Sequence, residues 1–198
     1  LPPAPAPAPP DAPKASLADP HGEPGRHYHG LPHVEALLRW LDASRDLAAD
    51  ARAIEAAIWF HDAVYDTHGA TNEADSGRLA RAELGALHWP EAAITKVEAL
   101  VLATAGHAPE AVDDEDMRLF LDLDLSILGQ PREVYAAYAA AIRAEYRWVD
   151  EATYRTRRQR VLQSFLERPR IFHTARWHQA WEAQARDNLE SELASLRG

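Results

Sequence analysis

The sequence predicts an all-α fold, a compact multi-helix bundle preceded by a Pro/Ala-rich tail. Three observations predict it. From Leu31 onward apolar residues recur at helical spacing, as in Val34, Leu37, Leu38 and Leu41. Alanine, leucine, glutamate and arginine, all strong helix formers, dominate the periodic segments, and no alternating run of β-branched residues competes with them. The chain has 198 residues, which suits one hydrophobic core, since single domains usually span roughly 100–200 residues.

Residues 1–24 open Leu-Pro-Pro-Ala-Pro-Ala-Pro-Ala-Pro-Pro and continue in Pro, Ala and Asp. That composition favours extended polyproline conformation and buries no core. A disordered tail is expected there, with residues 25–198 as the helical domain. Helix one is expected from Leu31, where Pro32 suits a first helical turn. Periodic segments follow at about 50–66, 72–88, 91–105, 115–128, 131–149, 151–167 and 174–196, parted by short Gly, Pro or Asp punctuation.

Composition then excludes several kinds of function. Charged residues interrupt every apolar stretch before the roughly 18 residues that cross a bilayer, so no membrane span is expected. The opening residues lack the basic start and apolar run of a secretory signal, and a cytoplasmic location is expected. Without cysteine there is no disulfide, no thiolate zinc site and no thiol nucleophile, so any metal must sit on histidine and carboxylate. A net charge of -10 disfavours a nucleic acid polymer or an anionic membrane as partner. A small substrate fits better; if phosphorylated, it requires metal and arginine to reverse the sign of the field locally.

Three segments carry residues able to do chemistry. His61-Asp62 follows the apolar Ile58, Trp59 and Phe60, and burying an imidazole beside a carboxylate is costly unless both are hydrogen-bonded or bind metal. Arg26-His27-Tyr28-His29-Gly30-Leu31-Pro32-His33 places three histidines at the start of helix one, where His29 and His33, one turn apart, can point into one cavity. His27 is read as a surface residue. Phe120-Leu121-Asp122-Leu123-Asp124-Leu125-Ser126 sets two acids in an almost continuous apolar helix. They leave the helix about 200 degrees apart, so only one of them faces a given site.

These residues resemble the HD superfamily, whose ordered signature is a His, a His-Asp dyad and a late Asp, all on helices. His33, His61-Asp62 and Asp124 match it in order, context and approximate separation. Arg-His-Tyr-His-Gly-Leu-Pro-His, Trp-Phe-His-Asp-Ala-Val-Tyr-Asp, Thr-Asn-Glu-Ala-Asp-Ser and Asp-Leu-Asp-Leu-Ser-Ile-Leu-Gly are similar to a small bacterial group of predicted metal-dependent HD phosphohydrolases. The resemblance runs from about residue 23 to the end. Tyr28-His29-Gly30-Leu31-Pro32-His33 also resembles the Tyr-His-Asn motif of the cyclic-nucleotide phosphodiesterases, with Gly30 in place of Asn. In those relatives a Leu-Ser pair follows the ligand Asp, as Leu125-Ser126 follows Asp124. Relatives usually carry a helix before this segment, where this chain has its proline-rich tail.

The resemblance implies an HD-type bundle with His33, His61, Asp62 and Asp124 as metal ligands and His29 as the general acid. The mixed donor set suits a divalent transition metal such as Mn, Fe, Co, Ni or Zn. The implied reaction is hydrolysis of a small phosphorylated molecule, a nucleotide among the candidates, by hydroxide formed on the metal. Glu73 is either a carboxylate that orients water or a first-turn acid favoured by the helix dipole. His107 is either a phosphate or second-metal contact or a helix-end histidine. Arg143, Arg147, Arg157 and Arg158 are candidate phosphate ligands, and Tyr146 either stacks on substrate or packs. A di-iron oxygenase is the alternative, with His68 and His107 as the further ligands it needs. A silent nucleotide-binding module is another.

Overall fold

The computed structural model describes residues 21–107 and 114–197. Within them lie α1 (Leu31–Ala43), α2 (Ala51–Phe60), α3 (Asn72–Ala86), α4 (Glu91–Ala103), α5 (Glu115–Asp124), α6 (Arg132–Glu145), α7 (Glu151–Leu166) and α8 (Ala175–Arg197). Short 3-10 turns occupy Arg45–Leu47 and Leu125–Gly129. No strand occurs among the described residues, so the all-α expectation stands. Nor is any described helix long and apolar enough to cross a membrane.

The centre of the bundle is α2. From Ala53 to Phe60 every residue except Glu55 is buried, and a helix apolar on all faces must be wrapped by others. Those are α1, α3, α4 and α5, with α3 also lying along α4. Asp50 starts α2 by accepting a hydrogen bond from the Ala53 backbone N–H at 3.0 Å. The buried carboxylate of Asp116, at the first turn of α5, accepts the backbone N–H groups of Ala49 and Asp50 at 2.7 and 3.0 Å and pairs with Lys96. This contact joins α2, α4 and α5 at one end.

A second cluster seats α8. Trp177 and Trp181, one turn apart, stack at 4.0 Å, and both meet Trp40 of α1 edge-on. Beside them the 3-10 turn runs against α8 so closely that a Cβ on Gly129 would lie 2.3 Å from the Cβ of Trp181. Only glycine fits there without displacing the helix.

Helix boundaries differ from expectation mainly at C-terminal ends. The segment expected at 50–66 ends at Phe60, because the carbonyls that would continue it are bonded elsewhere. Trp59 O accepts from the His21 ring at 3.1 Å, and Asp62 O and Ala63 O accept from Arg26 at 2.5 and 3.1 Å. The segment expected at 115–128 tightens into the 3-10 turn after Asp124, where Asn188 donates to both Leu128 O and Gln130 O at 2.8 Å. The segment expected at 131–149 stops at Glu145, with Arg143 holding Tyr146 O and Val149 O. Of the expected tail, residues 1–20 lie outside the described residues. His21 is buried against the end of α2, so the packed domain reaches past the expected boundary at 24.

Candidate metal centre

Three helix ends deliver the candidate ligands. The first turn of α1 holds His33, the C-terminal cap of α2 is His61 with Asp62 next to it, and Asp124 is the last residue of α5. Ending α2 at Phe60 matters here. The turn that follows lets Asp62 fold back beside His61, which adjacent residues in a continuing helix, about 100 degrees apart, would not allow.

The ligand atoms meet. His33 Nε2 lies 3.2 Å from His61 Nε2 and 3.1 Å from Asp124 Oδ1. His61 Nε2 lies 3.1 Å from Asp62 Oδ2 and 3.5 Å from Asp124 Oδ1, and His33 Nε2 is 3.9 Å from Asp62 Oδ2. Atoms bound at about 2.0–2.2 Å to one divalent ion stand roughly 3.0–3.5 Å apart, so these separations are close to those of a coordination shell. The His61 ring is already oriented for the task. Its Nδ1 sits 2.9 Å from Ile58 O, which only accepts, so Nδ1 carries the hydrogen and the neutral ring offers the Nε2 lone pair. Two imidazole nitrogens facing each other among carboxylates can share a hydrogen or hold a cation between them.

The electrostatics say the same. Burial works to lower the pKa of the His61 ring, but the charges of Asp62 and Asp124 outweigh it and hold the ring well above its ordinary 6.5. Burial likewise opposes ionisation of Asp124, yet the His61 charge and hydrogen bonds from His107, His33 and His61 hold its carboxyl well below the usual range. His33 stays neutral more readily, its ring held below 6.5 chiefly by burial. A proton or a divalent cation can meet the demand of the two carboxylates, and the donor set fits the cation.

Beside this centre stands a second cluster built on Glu145. One carboxylate oxygen accepts three successive backbone N–H groups, those of His27, Tyr28 and His29, at 2.8, 2.7 and 3.0 Å. The other accepts His29 Nδ1 at 2.7 Å and the Tyr65 hydroxyl at 2.9 Å. The His29 ring also stacks on Tyr65 at 4.3 Å, with its centroid 6.2 Å from that of His33. Burial works to lower the His29 pKa, but Asp62 and Glu145 raise it overall, so the ring favours the protonated form an acid needs.

The remaining candidates divide. His107 Nε2 lies 2.7 Å from Asp124 Oδ2, on the carboxylate edge turned away from His33. Tyr146 is partly buried, and its hydroxyl pairs with that of Tyr65, whose own hydrogen goes to Glu145. Glu73, near the start of α3, forms no hydrogen bond or ion pair among the described residues, but its charge reaches Tyr146. Asp122 faces away from the centre, accepting from His173 N, Thr174 N and Thr174 Oγ1 at 2.7, 2.8 and 2.6 Å. Arg143 spends its guanidinium on Glu151, Tyr146 O and Val149 O, and Arg158 on Glu192. Arg147 and Arg157 are exposed, while His68 stacks on Trp148 at 3.9 Å rather than joining the centre.

Two positioning residues were not anticipated from the sequence. Glu145 belongs to no motif, although Tyr135, Tyr138, Ile142 and Glu145 fall on one helical stripe, and an acid on such a stripe is a signal. Arg26, at the head of its motif, ties the His29 carbonyl and the turn after His61 together. In comparisons with known proteins the chain matches no family model, no curated protein and no solved structure.

Proposed function

We propose that this chain is a metal-dependent phosphohydrolase of the HD superfamily that acts on a small phosphorylated molecule, a nucleotide among the candidates. The observation that carries the reading is the convergence of His33, His61, Asp62 and Asp124 from three helix ends, where each imidazole Nε2 lies 3.1–3.9 Å from the other and from an oxygen of both carboxylates. These four residues would hold one divalent transition metal, with Mn, Fe, Co, Ni and Zn as the candidates. Such an ion supplies Lewis acidity towards a phosphoryl oxygen and lowers the pKa of water from 15.7 towards about 7.

The other residues divide the remaining work. His29 gives its ring proton to the leaving oxygen, Glu145 fixes the ring through Nδ1, and stacking on Tyr65 holds its plane. His107 orients Asp124 from its outer oxygen. Glu73 is free to orient water. A di-iron oxygenase is the second reading, favoured by one observation: Asp124 turns its two oxygens towards different imidazoles, as a bridging carboxylate does. It lacks His68, which lies elsewhere. Metal analysis of the purified protein, followed by a phosphatase and phosphodiesterase screen with added Mn, Co, Ni or Mg, tests both. One metal with phosphate release is the expected result; two irons with oxygen consumption would replace it. The His61→Ala and Asp62→Ala variants should lose metal and activity while keeping helical circular dichroism, and full metal occupancy in both would sink the ligand assignment.

A further inference from the structure

A cavity of about 370 Å³ opens beside His29, between α6, α7 and the turn that joins them. Its walls are Tyr138, Ile142, Tyr146, Val149 and Tyr154, so aromatic and aliphatic surface makes up most of the interior. Val161, 45% exposed, forms part of its mouth. One buried guanidinium lines the cavity, that of Arg158, and it is neutralised by Glu192 at 2.7 and 2.9 Å. Arg157 is exposed at the rim. The interior therefore offers flat apolar walls and no uncompensated charge, and its size lies at the lower end of the roughly 300–1,000 Å³ of small-molecule sites. Such a space selects a ring system and rejects a second phosphate.

We infer that this cavity receives the leaving alcohol of the substrate and that this alcohol carries a flat aromatic ring. The inference rests on the phosphohydrolase reading, because it is the placement of His29 at one end of the cavity that makes the occupant the leaving group. In the reaction, the oxygen of water bonds to phosphorus as the bond from phosphorus to the ring-bearing alcohol breaks. His29 gives its proton to that alcohol, and the proton released by water restores the acid. The ring lies among Tyr138, Tyr146 and Tyr154, where offset or edge-on contact between aromatic groups adds to the burial of apolar area.

Two readouts test it. With Mn supplied, phosphate release is compared for 1-naphthyl phosphate, a nucleoside 5′-monophosphate, glycerol phosphate and a sugar bisphosphate. The nucleoside 5′-monophosphate, an alkyl ester like glycerol phosphate, should exceed it in kcat/KM by about tenfold or more, the size expected when a ring is taken out of water. Val161→Trp, which fills the mouth at a half-exposed position, should erase that margin while melting at an unchanged temperature. In the second readout, 1-naphthol fluorescence reports binding to EDTA-treated protein, and Val161→Trp should weaken that binding about tenfold. Equal rates on ring and glycerol esters, a preference for the bisphosphate, or naphthol binding indifferent to Val161→Trp would overturn the inference. Naphthol binding that Val161→Trp blocks, with no ester cleaved, would instead sink the hydrolase reading and keep the ring site.

Discussion

Asp122 and Asp124 stand two residues apart at the end of α5, the first fully buried and the second largely so, and they face two different regions of the molecule. Asp122 looks towards the start of α8, where two backbone N–H groups and one hydroxyl meet it. Burial pushes its carboxyl up to about 6 against the pull of those donors. Asp124 looks towards the centre of the bundle and meets imidazoles, from His33 and His61 on one side and His107 on the other. The difference is in what the donors can give up. A backbone amide keeps its hydrogen at any physiological pH, so an acid bonded to amides is committed to holding the chain in place. An imidazole exchanges its proton for a metal ion, so an acid bonded to imidazoles sits where a cation can enter.

The sharpest way to break this comparison is to remove each acid in turn. Asp124→Ala should lose metal and activity completely, while the metal-stripped protein melts near the parent temperature. Asp122→Ala should keep its metal but lose stability on the order of 3 kcal/mol, because two buried backbone N–H groups are left without an acceptor. Metal content and urea unfolding, measured on both variants, report the contrast. If Asp122→Ala is the one that sheds metal, the ligand on α5 has been assigned to the wrong acid.

A smaller effect is expected at His29, which touches neither acid but borders the centre. His29→Ala should retain metal and lose on the order of 10² to 10⁴ in rate on an alkyl ester, the usual size of general-acid catalysis. On a nitrophenyl ester, whose leaving oxygen needs little protonation, the loss should shrink. Equal losses on both esters would remove His29 from the acid role, and loss of metal would make it a ligand.

The same contrast explains how far the sequence could be read. Helix positions were legible because α1, α2 and α5 are driven by apolar periodicity, a local property. The choice of Asp124 over Asp122 came from the Leu125-Ser126 that follows it, and in the structure the two acids have different partners. Illegible were the helix ends that build the centre. The stop after Phe60 depends on Arg26 and His21, distant in sequence and near only after folding. For the same reason Arg143 read as a phosphate ligand, although its donors go to the turn between α6 and α7. Charge on a helix is visible in sequence; its partner across a turn or a bundle is not.

Glu145 combines the two regions in one side chain and gives the smallest but most discriminating test. One of its oxygens is bonded to three backbone N–H groups, as Asp122 is to two, and the other to an imidazole, as Asp124 is. Burial opposes its charge, but hydrogen bonds from the His29 ring and from the backbone of Tyr28 and His29 win, holding the carboxyl down to about 2 from an ordinary 4.5. A carboxyl held lower in the folded chain than in the unfolded one adds stability above its ordinary pKa, and that stability is lost as pH falls through the folded value. Glu145→Gln keeps the shape and an acceptor for the backbone but loses the charge, so it should be less stable at pH 7 by about 1–2 kcal/mol. The parent alone loses this contribution on acidification, so the gap should narrow steadily from about pH 4.5 towards about pH 2. Metal content should not change, since Glu145 touches no ligand, whereas the rate on an alkyl ester should fall as His29 loses its anchor. Urea unfolding of both proteins from pH 7 to pH 3 reads the gap directly. A gap that stays constant over that range would mean that the Glu145 charge does not hold the His27–His29 segment, and that shape alone positions the acid.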